Sequence, residues 1–316
     1  MSELRNAAET LLLKCMGAHA GESVLVVDDV RSNVVSIALI DAAAALGLEA
    51  IRMTMPPRER SGQEPPEAVA MAMHGADIVL IPTTWSLSHT RARTAACTAG
   101  ARVASMPGIT EAMFARTLTA DYERVAERSR SVAAILNAGN NVQISSPLGT
   151  NLSFSIAGRS GTPDTGLYHT PGDFGNLPAG EAYLAPVEGT AEGTLVVDAS
   201  MAGLGVLASP VTFTFSKGKV VAVEGEGAQQ LRDNWAAAGK GADCVAELGV
   251  GTNDRAIITG KVLEDEKVLG TVHIALGNNA HFGGTCDVPY HADGVFTKPT
   301  LTVDGTIVIE NGVPKF

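Results

Sequence analysis

The sequence predicts an α/β protein in two parts: an open, mostly parallel α/β sandwich domain over residues 1–138 and a mainly β (α+β) domain over residues 139–316. In the first part, short continuous apolar runs typical of buried parallel strands alternate with helical patterns. From about residue 142 the strands become short and alternating, with turn signals between them. The chain is 45% hydrophobic and 18% charged, which is enough apolar material for a full core.

The elements follow from the spacing of the apolar residues. In the first part we predict helices over residues 2–17, 34–46, 67–74 and 90–99, one or two helices over residues 110–134, and strands over residues 24–29, 49–53, 78–81 and 102–106. In the second part we predict strands over residues 142–146, 151–157, 194–199, 212–216 and 219–224, and a helix over residues 227–238. Either Ser32 or Asn33 can cap the helix that begins at residue 34.

Two loops of the first part lie where an open α/β sheet carries its function, beyond the carboxyl ends of the strands. One is Asp28-Asp29, and the other is Thr83–His89. His89 can carry a proton or contact a substrate, and it can equally be an ordinary residue at a helix N-terminus. No glycine-rich phosphate fingerprint follows the first strand, so the sequence does not indicate a dinucleotide site.

The net charge and the cysteines indicate which partners and which cell compartment are compatible with this sequence. A net charge of −11 and a pI near 5.1 argue against nucleic acid or an anionic membrane as the main partner. The cysteines form no CxxC pair, which predicts reduced thiols in a cytoplasmic protein. We find no signal-peptide pattern and no apolar run approaching the roughly 20 residues of a membrane span.

A candidate metal site lies near the end of the chain. His273 lies in the apolar run 270–276, and a turn-rich segment then leads to His291-x-Asp293. Residues two apart on an extended segment point to the same side, so His291 and Asp293 can face one ion. Imidazole with carboxylate suits a divalent metal such as zinc, manganese, iron or cobalt. The simpler alternative is that each histidine is a surface group or a satisfied core group.

Two glutamates extend this candidate site. Glu181 follows a constrained Pro178-x-Gly180 turn, and Glu247 lies inside an apolar strand. A buried carboxylate is costly unless it is paired or bound to a cation. An edge strand that exposes Glu247 to water is the alternative. The charged triplet Asp265-Glu266-Lys267 lies just upstream of His273.

Five motifs follow one another in a distinctive order: NLPAGE (176–181), EGTLVVD (192–198), AELGVGTN (246–253), HIALG (273–277) and HAD (291–293). In this order they resemble the M29 family of aminopeptidase T/S-like metallopeptidases. The resemblance covers most of residues 140–295 and, more loosely, the α/β part before it. The segment after HIALG, where those peptidases have a tyrosine near the metals, reads Asn278–His281 here. Tyr290 and His281 are the candidate replacements.

The M29 resemblance implies a pair of metal ions, zinc, cobalt or manganese, in the second domain. Their ligands would be Glu181, Glu247, His273, His291 and Asp293. Two ions would activate a shared water to attack the amide at a free N-terminus, with Glu181 or Glu247 as bridging ligand or general base. The resemblance also implies a homodimer. On this interpretation the protein is a cytoplasmic metallo-aminopeptidase acting on a short peptide or another small molecule.

The 2,5-dihydroxypyridine ring-cleaving dioxygenases are a second resemblance on the same fold. They hold one ferrous ion with two histidines and one aspartate, and their His-x-Asp matches His291-x-Asp293. Their other histidine falls where this chain has Glu247, and they lack counterparts of Glu181 and His273. A histidine of their first domain can be matched to His89. The sequence thus favours a two-metal hydrolase, with a ferrous dioxygenase as the alternative. A metal-free descendant that binds a ligand or partner is a third hypothesis.

Overall fold

The computed structural model describes residues 2–30 and 33–316, so the predicted cap Ser32 lies outside the described residues. The helices are α1 (Ser2–Thr10), α2 (Val34–Ala45), α3 (Glu67–His74), α4 (Arg91–Thr98), α5 (Glu111–Thr117), α6 (Tyr122–Ala138), α7 (Ala228–Ala238) and α8 (Val262–Asp265). A π-helical stretch, Leu11–Cys15, continues α1, and a 3-10 turn covers Ala280–Phe282. No helix in this part of the chain is both long and apolar enough to cross a membrane.

The strands are short in both parts of the chain. They are β1 (Ser23–Asp28), β2 (Glu49–Thr54), β3 (Ile78–Ile81), β4 (Arg102–Ser105), β5 (Asn141–Ser145), β6 (Asn151–Ser155), β7 (Thr162–Asp164), β8 (Phe174–Asn176), β9 (Glu181–Leu184), β10 (Glu192–Val197), β11 (Ser200–Met201), β12 (Gly205–Val206), β13 (Val211–Ser216), β14 (Lys219–Gly225), β15 (Val245–Gly251), β16 (Val272–Gly277), β17 (His291–Phe296), β18 (Thr300–Val303), β19 (Thr306–Glu310) and β20 (Val313–Pro314).

The first compact unit comprises Met1–Arg124 and Gly166–Ala179. Its parallel sheet has the strand order β2-β1-β3-β4-β8. The continuous apolar runs at β1 and β3 are buried along almost their whole length, as expected for a parallel sheet covered on both faces. At the start of α2 the Asn33 side chain accepts hydrogen bonds from the amides of Val35 and Ser36, which confirms a predicted cap.

The second compact unit comprises Val125–Thr165 and Gly180–Phe316. The prediction places the division at residues 138/139. In the structure α6 from Val125 onward belongs to the second unit, and residues 166–179 return to the first. The return occurs because β8 adds to the parallel sheet beside β4, with Val103 opposite Phe174. The three residues of β8 are only partly buried, and so short a segment carries no periodic apolar signal.

The second unit contains two sheets, which confirms the mainly β prediction. One has the order β14-β13-β10-β6-β5-β18-β19-β20, and the other has the order β12-β11-β17-β16-β15-β9-β7. Alternate residues of the latter, such as Leu248 and Ile274, join one apolar cluster with Phe154 and Phe213 of the former. Side chains alternate across a strand. On each of these strands, the residues next to Leu248 or Ile274 therefore face the opposite side of the sheet.

Candidate metal centre

The predicted ligands share one face of four neighbouring strands of the second unit. They are Glu181 on β9, Glu247 on β15, His273 on β16, and His291 and Asp293 on β17. Ala275 on the central strand β16 lies opposite both Glu247 and Asp293. Residues directly opposite each other on antiparallel strands point to the same face, so these side chains converge. Four of the five are buried, and the side chain of His291 is one-third exposed.

Two glycines of β15 provide the space in which these side chains converge. Gly249 lies directly opposite His273, and a Cβ atom there would come within 1.9 Å of His273 Nε2. Gly251 lies opposite Glu181, and a Cβ atom there would come within 2.0 Å of the Val268 carbonyl oxygen. The glycines of the AELGVGTN motif therefore make space for the imidazole and for the chain that packs on this face.

A β-bulge directs Glu247 to the polar face. Val245 and Leu248 both join the apolar core although they are three residues apart, and the pairing of β15 with β16 shifts between Val245 and Glu247. An extra residue of this kind reverses the side on which the following side chain lies. β15 is an interior strand and Glu247 is 7% exposed, so the alternative of a water-facing edge strand is wrong.

Distances within the cluster are those of groups that share a common centre. His273 Nε2 lies 3.1 Å from Glu181 Oε2 and 3.5 Å from Glu247 Oε1. His291 Nε2 lies 3.4 Å from Glu247 Oε2 and 3.4 Å from Asp293 Oδ1. Single ligand atoms of Glu247, His273 and Asp293 all lie within 4.8 Å of one another, a spacing at which one ion can contact all three.

The donor set fits a divalent cation. Within the described part of the chain, Glu181 Oε2, Asp293 Oδ1 and both ring nitrogens of His273 are buried without a hydrogen-bond partner. Buried polar atoms left unsatisfied are costly, and a cation among them would satisfy several at once. His291 Nδ1 donates a hydrogen bond to the Asn278 carbonyl at 2.8 Å, which directs the Nε2 lone pair toward the carboxylates. Such an outer partner is typical of a metal-binding histidine.

Electrostatics support the same grouping. Burial lowers the pKa of His273, but the carboxylates Glu181 and Glu247 outweigh burial and leave the pKa well above its ordinary value. Burial also lowers the pKa of His291, and Asp293 and Glu247 outweigh burial and raise that pKa well above its ordinary value. Burial acts to raise the pKa of Asp293, and the charge of His291 outweighs it and lowers that pKa to about 2. These side chains therefore act on one another as one electrostatic cluster.

A buried lysine beside these carboxylates is a site residue that the prediction missed. Lys267 is 1% exposed, and its Nζ lies 2.7 Å from Glu181 Oε1 and 2.5 Å from Glu266 Oε1. Asp164 Oδ2 is 3.8 Å away. The available signal was the charged triplet at 265–267. Its first member has a different role, because Asp265 accepts hydrogen bonds from the amides of Thr259 and Gly260.

Two aromatic residues beside this cluster, Tyr183 and Phe282, were also missed. Tyr183 lies opposite Gly249 on the polar face, and its ring is 5.7 Å from that of Phe282, edge to face. Phe282 is in turn 6.1 Å from the His291 ring. Tyr290, one of the two predicted replacements for a metal-side tyrosine, packs against the apolar core instead. The other, His281, is exposed within the 3-10 turn.

The loops singled out in the first domain have structural partners there. Asp28 is fully buried and forms an ion pair with Arg52 at 2.7 Å. Asp29 accepts hydrogen bonds from the amide and hydroxyl of Thr84, which ties the two loops together. His89 is exposed in the turn before Thr90, the N-cap of α4. A catalytic role for His89 remains a prediction.

Comparisons with known proteins now add to this geometry. A search of curated proteins found no match. The solved structure of 2,5-dihydroxypyridine dioxygenase from Pseudomonas putida KT2440 is similar with a TM-score of 0.81 and 20% identity, over 98% of this chain and 96% of that one. Wild-type AmpT from Thermus thermophilus is similar with a TM-score of 0.73 and 17% identity, over 100% and 99% of the two chains.

These structural likenesses confirm the predicted fold, and both resemblances seen in the sequence have a structural counterpart. At such low sequence identities, the structural similarity supports a common fold and nothing more. The sequence comparison goes further, because the family model described as NicX, 2,5-dihydroxypyridine 5,6-dioxygenase, matches residues 4–315. That is nearly the whole chain, and the protein belongs to the 2,5-dihydroxypyridine 5,6-dioxygenase family.

Proposed function

We propose that this protein is a ring-opening dioxygenase that holds one ferrous ion and acts on a dihydroxylated pyridine. The observation that carries the proposal is the convergence of His273, His291 and Asp293 on one buried face. Two imidazoles and one carboxylate are the donor set of non-haem iron oxygenases. The family match over residues 4–315 supports the same reaction, and the predicted two-metal aminopeptidase becomes the second candidate.

The role of each residue in this site follows from its position. When bound, the ferrous ion would supply open positions at which dioxygen and a hydroxylated ring can meet. The Asn278 carbonyl holds the His291 ring so that Nε2 faces Glu247 and Asp293. Glu247 and Asp293 together carry two negative charges, which balance one dication. Glu181 is bonded to the Lys267 ammonium, so its Oε1 is not available as a bridging ligand.

Metal content and oxygen consumption test this proposal together. Anaerobically purified protein, reloaded with ferrous ion, is expected to hold one iron per chain and to consume one dioxygen per 2,5-dihydroxypyridine opened. His291→Ala should lose both iron and activity. His74→Ala, at the exposed end of α3, is the matched control and should keep both. Iron-loaded protein that consumes no oxygen with this substrate would contradict the proposal.

The second candidate function is a two-metal hydrolase. The observation in its favour is that Glu181 Oε2 and Glu247 Oε1 both approach His273 Nε2, at 3.1 Å and 3.5 Å, which assembles the five ligands implied by the M29 resemblance. Two zinc, cobalt or manganese ions per chain, with release of an amino acid from a dipeptide, would establish it. Protein that binds no iron, zinc, cobalt or manganese would instead favour a metal-free binding role.

A further inference from the structure

We propose that the ammonium group of Lys267 takes the place of a second cation and so limits this site to one metal ion. The inference rests on the proposed function only in taking His273, His291 and Asp293 as the residues that hold that ion. It concerns a neighbouring position, between Glu181 and Glu266, where a second ion would otherwise bind.

The residues around Lys267 form a second potential metal site. Single ligand atoms of Glu181, Glu266 and His273 lie within 4.8 Å of one another. Among the described residues, Glu181 Oε2 is buried without a hydrogen-bond partner, which points to a cation as its missing ligand. This group shares His273 with the first site, so two ions bound here would lie close together, as in two-metal enzymes.

Lys267 already occupies this position. Its Nζ contacts Glu181 Oε1 at 2.7 Å and Glu266 Oε1 at 2.5 Å, the two carboxylates that a second ion would need. A divalent ion bound to either carboxylate would lie next to the ammonium and be repelled by it. The lysine is 1% exposed, so water screens this repulsion little.

The backbone holds the lysine in place. The Lys267 carbonyl accepts a hydrogen bond from the Asn253 amide at 2.9 Å. At Gly251, a Cβ atom would lie 2.0 Å from the Val268 carbonyl oxygen, so the glycine lets this segment lie directly against the end of β15. The position of Lys267 is therefore fixed by the backbone contacts of this turn as well as by the carboxylates.

Counting bound ions in matched variants tests the inference. Wild-type protein, Lys267→Arg, Lys267→Ala and the exposed-site control Lys261→Ala would each be loaded with Mn²⁺, freed of excess ion and analysed for manganese by mass spectrometry. We expect one ion per chain in wild type, Lys267→Arg and Lys261→Ala, and two in Lys267→Ala. In Lys267→Ala the electron paramagnetic resonance spectrum should show coupling between neighbouring Mn²⁺ ions.

The outcomes separate this inference from the proposed function. One ion in both wild type and folded Lys267→Ala overturns the inference and leaves the proposed function intact. Two ions in wild type overturn both, and no ion in wild type overturns the assignment of the metal site itself. If Lys267→Ala is unfolded without metal, recovery of its native circular dichroism with two Mn²⁺ per chain supports the inference. Failure to recover at any Mn²⁺ concentration overturns it.

Discussion

Gly249 has no side chain, and the imidazole of His273 fills the space that a Cβ atom would take. A second small residue has a similar role on the neighbouring strand. Ala275 is the small residue between Glu247 and Asp293, so two carboxylates can approach each other across the central strand. At the scale of residues, the site depends as much on small side chains at paired positions as on the ligands themselves.

The first prediction at this scale concerns Gly249→Ala. The new methyl group would lie 1.9 Å from His273 Nε2, so the ring must move, at a cost of roughly 1–3 kcal/mol in unfolding free energy. Metal affinity should fall with it. Urea unfolding and metal titration measure the two effects. Gly75→Ala is the control, because the nearest atom to its new methyl is 3.8 Å away; equal losses in both variants would contradict the prediction.

The second prediction concerns the ligands. We expect His291→Ala and Asp293→Ala each to lower metal affinity beyond the roughly 10–100-fold typical of outer-shell changes. Activity should be abolished, while the far-ultraviolet circular dichroism stays native, because both residues face away from the apolar core. Collapse of the spectrum in either variant would instead point to a purely structural role.

The sequence predicted part of this site for identifiable reasons. His291 and Asp293 were found because the period-two pattern of an extended segment places them on one face. Glu247 was found because a carboxylate in an apolar run needs a partner. Lys267 and Tyr183 were missed because their roles depend on which strands become neighbours, and no local pattern encodes that choice.

At the scale of elements, the Glu188 carboxylate anchors the segment between β16 and β17. Glu188 accepts hydrogen bonds from the Thr285 amide at 2.7 Å and from Asn279 Nδ2 at 3.1 Å, and it pairs with Arg159. Arg159 also donates to the Gly283 carbonyl. The same segment supplies the Asn278 carbonyl that orients His291 and the Phe282 ring beside it. Glu188 thus supports the metal site from a distance.

The third prediction is that Glu188→Ala loosens this segment. Loss of the carboxylate leaves the Thr285 amide without its acceptor and removes the ion pair with Arg159. Hydrogen exchange followed by mass spectrometry should show faster deuterium uptake over residues 278–290, together with weaker metal binding. Glu224→Ala, on the exposed side of β14, is the control and should change neither. Unchanged exchange in Glu188→Ala would contradict the proposed anchoring.

The fourth prediction is a pH dependence of the same segment. Burial acts to raise the pKa of Glu188, but the Thr285 amide and the other hydrogen bonds outweigh it and hold the pKa below the ordinary 4.5. A carboxyl whose folded pKa is lowered stabilises the fold above its unfolded pKa, and that stabilisation is lost as pH falls through the folded pKa. The protection factors of residues 278–290, which compare the observed exchange rate with the intrinsic rate at the same pH, should therefore fall below about pH 4.5, and this fall should be absent in Glu188→Gln.

Elements were predicted best where proline, glycine or a capping residue marks their ends, as Pro66 and Gly75 do for α3. The predicted bounds of α3 and β3 match the structure, and those of α2 and β2 differ by one residue at one end. The bulge at β15 and the three-residue strand β8 were not predicted. A bulge leaves no mark in composition, and the place of β8 depends on pairing with a strand some seventy residues earlier.

At the scale of the whole molecule, the predicted ligands all come from one of the two compact units. The fifth prediction is that metal stabilises that unit selectively. Mn²⁺ at 100 times its Kd adds about 2.7 kcal/mol to the stability of whatever unfolds with the site. Hydrogen exchange should therefore slow in β9, β15, β16 and β17. Equal protection of β1–β4, in the other unit, would contradict a local effect.

In this protein the fold does not by itself determine the chemistry of the site. Two solved enzymes, a dioxygenase and AmpT, share this fold at 20% and 17% identity. The fold could be predicted from the sequence because alternating apolar patterns dictate it. The chemistry depends on a few groups, such as the charge at residue 267 and the carboxylate at residue 247, that the scaffold tolerates in more than one form.

The passage of residues 166–179 back into the first unit has a consequence for how the protein is made and divided. During synthesis, β4 lacks its outer neighbour β8 until residue 176 has emerged, about seventy residues after β4. A truncated product ending at residue 138 would leave the backbone amides and carbonyls of β4 open to pairing with another copy. Expression of separate halves should therefore fail through aggregation at that cut, whereas a nick that leaves both pieces present would be tolerated.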